Sequence, residues 1–255
     1  MNALTQAQPV QSAFDAPVSW MSKAINIVVI GAGGNGSEAV DTLASFHHAL
    51  VSLGHPYGLS VTVIDDSKVR EPNLVRQRFW PCDLGQYKAV VLANRYNMML
   101  GLNWVGLPCR YPSDQANAAI RAADIVITAV DLPSARRALA AHNAPPRNCM
   151  WLDLGNDHRH GQAVFGSLCS TKRESYPSVM ELFPELETLP DDNTKSCSAA
   201  ESLATQDSLI NRAVTTAGMS IIWDVLRYGR TTKHFISINL ETGEQYAVGF
   251  PQANN

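Results

Sequence analysis

A glycine-rich stretch is the first part of the sequence whose residue types could do chemistry. It contains Gly31, Gly33, Gly34 and Gly36, and it fits the pattern G-x-G-x-x-G. Glycine permits positive φ angles and lets backbone N–H groups approach a phosphate, which the positive end of a following helix also attracts. On its own the motif fits a site for NAD, FAD or ATP, of which NAD is the commonest.

A carboxylate follows at the place where such a site needs one. Asp65 ends the next apolar run, residues 59–65, where it would meet the ribose hydroxyls of a nucleotide. Its separation from the glycines exceeds the usual ~20 residues, and this weakens the dinucleotide interpretation. An aspartate at the end of a strand can also simply cap a turn.

Polar and basic side chains come after Asp65 in a segment that a dehydrogenase does not need. Asn73, Arg76, Gln77 and Lys88 supply hydrogen-bond donors that could converge on a triphosphate. Such donors would hold the nucleotide and offset the charge that develops on a leaving pyrophosphate. The segment therefore favours ATP over NAD.

The same segment resembles the ThiF, MoeB and ubiquitin-activating family of adenylating enzymes, whose signature reads roughly D-x-D-x-V-x-x-x-N-L-x-R-Q and then D-x-G-x-x-K. The matching positions are Asp65, Val69, Asn73, Leu74, Arg76, Gln77, Asp83, Gly85 and Lys88. One position departs, because the second acidic residue of the signature falls on Ser67, with Asp66 beside it. The likeness covers roughly residues 25–250.

The resemblance also implies a metal ligand. Asp131 follows the apolar run 125–130, where the family places a carboxylate that holds Mg²⁺ against the phosphates. Mg²⁺ typically takes one or two carboxylates together with phosphate oxygens. Alternatively, Asp131 caps a helix that begins near Pro133. By the same resemblance, Arg136, Asn156 and Gln162 are further candidates for the site.

The activity implied by the resemblance is ATP-dependent adenylation of the C-terminal carboxylate of a small ubiquitin-like (β-grasp) protein. A carboxylate oxygen would attack the α-phosphorus of ATP and expel pyrophosphate, with Arg76, Lys88 and Mg²⁺ supplying positive charge. Related enzymes also use an arginine near the N-terminus, but here the first arginine is Arg70. That role is unfilled, taken by Lys23 or supplied by a partner.

Two other hypotheses about the function remain open. A catalytically weak nucleotide-binding module on the same fold would explain the missing arginine. A nicotinamide-dependent oxidoreductase would explain the glycine motif but not the basic segment that follows it.

The chain has five cysteines, which are Cys82, Cys109, Cys149, Cys169 and Cys197. They form no Cys-x-x-Cys pair, so neither a disulfide framework nor a structural zinc site is expected. In relatives that pass the acyl group onward, the catalytic cysteine lies in the segment that matches Cys197, where Lys195 could activate a thiolate. A buried, unreactive cysteine is an equal alternative. The tract 197–211 looks similar to the ThiF-family protein of the plasmid-associated PRTRC cassette.

The elements that must position these residues alternate along the chain. Apolar runs predict strands at 25–30, 59–65, 104–110, 124–130, 149–154 and 162–168. Helical periodicity predicts helices at 37–53, 87–100, 115–123, 133–142 and 209–227. This alternation predicts an α/β fold with a Rossmann-like, doubly wound, mainly parallel sheet. Residues 234–240 and 245–250 predict an antiparallel C-terminal hairpin.

The chain is long enough for one large core. We expect a flexible N-terminal arm at residues 1–22, which is rich in Ala, Gln, Ser and Pro, and a single adenylation domain at 23–255. Within it, residues 170–204 lack periodicity and form an irregular crossover segment.

Charge and hydropathy exclude several classes of partner. The formal net charge is −3, which gives no general attraction to nucleic acid or to an anionic membrane. No apolar run approaches the ~18 residues of a membrane span, and no secretory signal is visible. A cytoplasmic protein is expected, and the family resemblance implies a homodimer.

Overall fold

The fold is built on strands that are short runs of β-branched and other apolar residues, as in buried parallel sheets. The structure, a computed structural model, describes residues 13–142, 148–168, 176–191 and 207–251. The strands are β1 (Phe14–Asp15), β2 (Ile25–Ile30), β3 (Leu59–Ile64), β4 (Val105–Leu107), β5 (Ile125–Thr128), β6 (Met150–Asn156), β7 (His160–Ser167), β8 (Arg230–Thr231), β9 (Lys233–Asn239) and β10 (Glu244–Gly249).

Eight of these strands form one sheet in the order β10-β9-β7-β6-β5-β2-β3-β4. The strands from β6 to β4 in this order run parallel, whereas β7, β9 and β10 extend the sheet in antiparallel fashion. The predicted Rossmann-like, mainly parallel α/β fold with an antiparallel C-terminal extension is therefore confirmed.

Strand β2 is the point at which the sheet is wound in two directions. It pairs with β3 on one side and with β5 on the other. The chain leaves β2 towards β3 and later returns to the opposite side, so the loops that follow β2 and β5 diverge from each other. Open α/β sheets bind their ligands in the crevice that such a divergence leaves.

Helices cover both faces of the sheet. They are α1 (Gly34–Ser52), α2 (Lys88–Leu100), α3 (Asp114–Ile120), α4 (Pro133–Ala140), α5 (Val179–Leu182) and α6 (Ile210–Tyr228). The apolar residues of α1, α2 and α6 belong to the core on one face, and those of α3, α4 and α5 to the core on the other. No helix among the described residues is both long enough and apolar enough to cross a membrane.

The N-terminal segment differs from the sequence prediction. From residue 13 onward it is packed on the domain: β1 pairs with β8, and a 3-10 helix follows at Val18–Ser22. Phe14 and Trp20 are buried, and the ring of Phe14 lies 5.5 Å from that of Phe165. The expectation of a mobile arm is thus corrected for residues 13–22, because two aromatic side chains bury their surface in the core.

The predicted crossover segment at 170–204 contains local structure in its described part. Helix α5 and a 3-10 helix at Pro184–Glu187 lie within residues 176–191. Ser178 begins α5 with a capping box, in which the Glu181 carboxylate accepts from the Ser178 backbone N–H at 2.7 Å. A helix this short shows no periodicity that sequence reasoning could have detected.

Candidate functional site

The glycine turn joins β2 to α1, and close packing explains its composition. Gly31 has φ +93°, and a Cβ on it would lie 2.5 Å from the carbonyl oxygen of Ala129. A Cβ on Gly36 would overlap the carbonyl oxygen of Gly31. By contrast, a Cβ on Gly33 would meet no atom within 4 Å. Two of these glycines are therefore required by the fold, whereas Gly33 borders open space beside the helix N-terminus.

Asp65 follows β3 and is bonded to the glycine turn. One carboxylate oxygen accepts from the backbone N–H of Ala32 at 2.7 Å. The other accepts from the backbone N–H of Ser67 at 2.8 Å and from the Ser67 hydroxyl. Parallel pairing of β2 and β3 brings these loops together at one sheet edge. A carboxylate with two oxygens still has lone pairs for further donors, so this geometry is compatible with the predicted ribose contact.

The segment after Asp65 folds into a 3-10 helix at Glu71–Val75. Asn73 is buried there, and its side-chain oxygen accepts from the backbone N–H of Arg70 at 2.9 Å. The oxygen of Asn73 thus shapes its own turn, and the amide nitrogen is the part of this side chain that could donate to a ligand. Gln77 has a buried side-chain oxygen without a hydrogen-bond partner among the described residues.

Arg76 connects this segment to two distant parts of the chain. Its Nη1 donates to the side-chain oxygen of Asn211 on α6 at 3.1 Å. Burial lowers the pKa of Arg76, and the Asp131 carboxylate acts in the opposite direction. Asp131, which follows β5, is exposed and close enough to influence the guanidinium. Of the predicted catalytic residues, Asp131 thus acts electrostatically on Arg76.

Lys88 is the first residue of α2, and it is buried. Its backbone N–H donates to the backbone carbonyl oxygen of Ser67 at 3.0 Å, and its Nζ lies 6.0 Å from the centre of the Phe79 ring. The two signature residues before it have structural roles. Asp83 pairs with Arg95 at 2.6 Å, and Gly85 has φ +79°. They form the turn that precedes α2, which begins at Lys88.

Arg136 forms an ion pair beneath the surface. Its Nε lies 2.7 Å from the Asp153 carboxylate, which also accepts from the Thr128 hydroxyl. Burial opposes the charge of Arg136, but Asp153 and, more weakly, Asp131 outweigh it and raise the pKa of Arg136. Arg136 therefore links α4 to the middle of β6, and its charge is felt by the Asp131 carboxylate after β5.

Three asparagines form a cluster that sequence reasoning found only in part. Asn156, at the end of β6, accepts from Asn35 at 2.8 Å and from Asn211 at 3.2 Å. Asn211 also donates to the side-chain oxygen of Asn35 at 2.9 Å. Only Asn156 was a candidate from sequence. A polar residue at position 211, on a buried face of an amphipathic helix, was the available signal. Gln162 lies opposite Gly155 in β7.

Lys23 does not reach this site. It precedes β2 and pairs at 2.6 Å with Asp124, which precedes β5. Both residues lie at the amino ends of their strands, whereas the glycine turn and Asp131 lie at the carboxyl ends. Within one chain, Lys23 therefore does not take the place of the missing N-terminal arginine.

Cys197 and Lys195 lie outside the described residues. Of the cysteines within them, Cys82 is exposed, Cys109 is partly buried and Cys149 is buried. Burial strongly raises the pKa of Cys149, which makes it an unreactive core thiol.

The described part of the chain contains no group of three or more His, Cys, Asp or Glu side chains that could hold a metal.

Several solved structures share this fold. The crystal structure of PaaA has a TM-score of 0.61 and 14% identity, over 89% of this chain and 65% of that one. E. coli MccB with ATP has a TM-score of 0.61 and 14% identity, over 92% and 66%. The microcin C7 biosynthetic enzyme MccB with N-formylated MccA has a TM-score of 0.59 and 15% identity, over 92% and 67%. The chain thus spans about two thirds of the length of these proteins.

Comparison of the sequence with curated proteins and with protein families gives a more specific result than the shared fold. No curated protein sequence matches this chain. The model of the ThiF family, however, matches residues 16–223, a range that includes the glycine turn, the 3-10 segment with Arg76, and Asp131. The match is to the family as a whole, and the PRTRC subgroup stays a prediction. The chain belongs to the ThiF family.

Proposed function

We propose that this chain uses ATP to adenylate the C-terminal carboxylate of a small ubiquitin-like (β-grasp) protein. The observation that supports this most strongly is the arrangement around the carboxyl end of β2. Asp65 is bonded to the glycine turn, and the Asp131 carboxylate acts against the lowering of the Arg76 pKa by burial. These groups flank the crevice in which doubly wound sheets bind nucleotides.

The residues around the glycine turn are suited to a nucleoside triphosphate. Gly33 borders open space at the N-terminus of α1, where backbone N–H groups favour an anion. The side-chain oxygen of Gln77 is buried without a hydrogen-bond partner among the described residues, so a donor from a ligand would satisfy it. Asp131 is a single exposed carboxylate, which is compatible with Mg²⁺ because that ion takes its remaining ligands from phosphate and water.

In the proposed reaction the chain orients two anions and stabilises the leaving group. A carboxylate oxygen of the partner forms a bond to the α-phosphorus, and the bond to pyrophosphate breaks. Arg76 and Lys88 would offset the negative charge that moves onto pyrophosphate. Asp131 would hold Mg²⁺, which supplies further positive charge at the phosphates.

A second step at Cys197 is part of the proposal. Its thiolate would attack the acyl carbon of the adenylate, form a thioester and release AMP. The alternative is an enzyme that stops at the adenylate and passes it directly to another acceptor.

A small protein or peptide as partner is supported by the structural relatives. MccB has been solved with ATP, with N-formylated MccA, and with AMPCPP and MccA in one crystal, so a protein of this fold accommodates a nucleotide together with a second molecule. By the family resemblance we propose a homodimer with a ubiquitin-like substrate, in the cytoplasm.

The proposal can be tested by ATP–pyrophosphate exchange with a panel of small β-grasp proteins, each with a free or an amidated C-terminus. Exchange should require the free carboxylate and fall about 100-fold or more in Lys88→Ala and Asp131→Ala. Lys233→Ala is the matched control, since Lys233 pairs with Asp224 at 2.9 Å on other elements. With Cys197→Ala, exchange should persist while a thiol-sensitive adduct is lost.

Two outcomes would contradict the adenylation. One is undiminished exchange in both Lys88→Ala and Asp131→Ala. The other is stronger direct binding of NAD than of ATP. Binding of ATP without exchange would favour the second candidate, a catalytically weak binding module. This candidate is tested because Lys23, the basic residue nearest the N-terminus, lies away from the site in its pair with Asp124.

A further inference from the structure

Asn211 has contacts that helix packing alone does not require. It lies in the first turn of α6, where 3% of its surface is exposed. Its amide nitrogen donates to the side-chain oxygens of Asn35 at 2.9 Å and of Asn156 at 3.2 Å. Its oxygen accepts from Arg76 at 3.1 Å. One side chain thus joins the glycine turn, the end of β6 and the basic segment.

The hydrogen-bond chemistry sets the orientation of this amide. A guanidinium has donors and no acceptor, so only the oxygen of Asn211 can face Arg76. The nitrogen must then point the other way, towards two oxygens that need a donor. Asn156 receives a further bond from Asn35 at 2.8 Å, which holds both acceptors in place. The orientation of Arg76 is therefore set from the glycine turn through Asn211.

We propose that Asn211 is a positioning residue, which holds the guanidinium of Arg76 towards the phosphates of the bound nucleotide. This inference rests on the proposed use of ATP and deepens it. Asn211 does not touch the nucleotide. It acts through Arg76, whose long side chain would otherwise lose rotamer entropy when it meets the phosphates.

A neutral acceptor suits this task better than a carboxylate. An aspartate at position 211 would pair with Arg76 and offset the charge that the phosphates need. It would also place a carboxylate against the oxygens of Asn35 and Asn156, which is repulsive. The close packing is specific as well, because a Cβ on Gly34 would overlap the side chain of Asn211. Glycine at position 34 is thus required for the contact.

The test is a double-mutant cycle on nucleotide binding by the full chain, with ATP–Mg²⁺ and AMP as probes in calorimetric titrations. Asn211→Ala should weaken ATP binding about tenfold, the value of one hydrogen bond to a charged group, and AMP binding far less. In an Arg76→Ala background, Asn211→Ala should cause no further loss of ATP affinity.

The matched control is Thr215→Ala, one turn further along α6. Its buried hydroxyl donates to the backbone oxygen of Asn35 at 3.3 Å, so the variant removes a bond to the same neighbour without involving Arg76. ATP affinity should be unchanged in this variant. Asn211→Leu, which keeps the branched shape without the oxygen, should behave as Asn211→Ala does, and thermal unfolding is measured for every variant.

Equal weakening of ATP and AMP, or an equal loss with and without Arg76, would overturn the positioning role. Failure of both Asn211→Ala and Asn211→Leu to fold would also overturn it, in favour of a structural role. These outcomes differ from failure of the proposed function, in which the unmodified chain itself would bind no ATP.

Discussion

For individual side chains, the glycine turn shows that one motif serves two separate purposes. Gly31 and Gly36 are needed because the turn packs against itself and against Ala129. Gly33 has open space, so its lack of a side chain matters only if something else occupies that space. Packing and ligand binding can therefore be separated by substitution within six residues of sequence.

This separation gives a prediction. Gly36→Ala should destabilise the chain by about 1–3 kcal/mol, because the new methyl group overlaps the Gly31 carbonyl oxygen. Gly33→Ala should leave stability nearly unchanged but weaken ATP binding, since its methyl group would enter the space for the phosphates. Urea unfolding and calorimetric titration distinguish the two effects. Normal ATP affinity in Gly33→Ala would contradict a phosphate site at this turn.

The basic segment also shows how far a residue type predicts a role. Asn73 and Asp83 match the family signature, yet each uses side-chain oxygens to hold its own turn. Asp83 in addition pairs with Arg95. These bonds place Arg76 and Lys88, so some signature residues contribute to the site through local structure.

At the level of helices and strands, α4 is anchored to β6 by the pair of Arg136 and Asp153. The side chains are 9% and 2% exposed, so both charges have lost their hydration. Each depends on the other, because removing one partner leaves an uncompensated buried charge. The loop with Asp131 lies between β5 and α4, so this pair also helps to position the candidate metal ligand.

We expect Arg136→Met to destabilise the chain by about 3–5 kcal/mol, since it leaves the Asp153 carboxylate buried and unpaired. Adding Asp153→Asn should recover part of this loss, because the buried charge is then gone. Denaturant unfolding of the two single variants and the double variant measures the coupling. Strictly additive losses would show that the pair contributes nothing beyond its separate side chains.

Across the chain as a whole, stability should depend on histidines that folding buries wholly or in part. Burial lowers the pKa of His47, His142 and His234. His234 also donates through Nε2 to the carbonyl oxygen of Pro177 at 2.7 Å and stacks on Phe250. These three residues lie on different elements, so their effects on the global unfolding equilibrium should add.

The sign of this effect follows from proton linkage. Unfolded histidines have their ordinary pKa of 6.5, so below that pH the unfolded chain binds more protons than the native one. The stability contributed by the neutral histidines should be fully present above pH 6.5, and it should be lost as the pH falls towards their lowered native pKa values. Urea unfolding at about pH 7.5 and pH 5 should show a smaller loss in His234→Gln than in the unmodified chain. Equal losses in both proteins would exclude a contribution of His234.

Much of the fold was predictable because its signals are local. Apolar runs and helical periodicity indicated the alternating strands and helices, and the long C-terminal helix differed by one residue at each end. The N-terminal segment was not predictable, since Phe14 buries its ring against Phe165, far along the chain, and Trp20 is buried beside Phe14. Helix α5 has four residues, too few for a period to be visible.

The sequence alone was enough to indicate the fold class, the place of the glycine turn and the basic segment, because these depend on neighbouring residues. The contact of Arg76 with Asn211, 135 residues away, depends on how α6 packs against the glycine turn. The pairing of Lys23 with Asp124, 101 residues away, depends likewise on which sheet edge each residue occupies. No local pattern encodes such distances. They arise only when the packed elements bring separate donors and acceptors within hydrogen-bonding range.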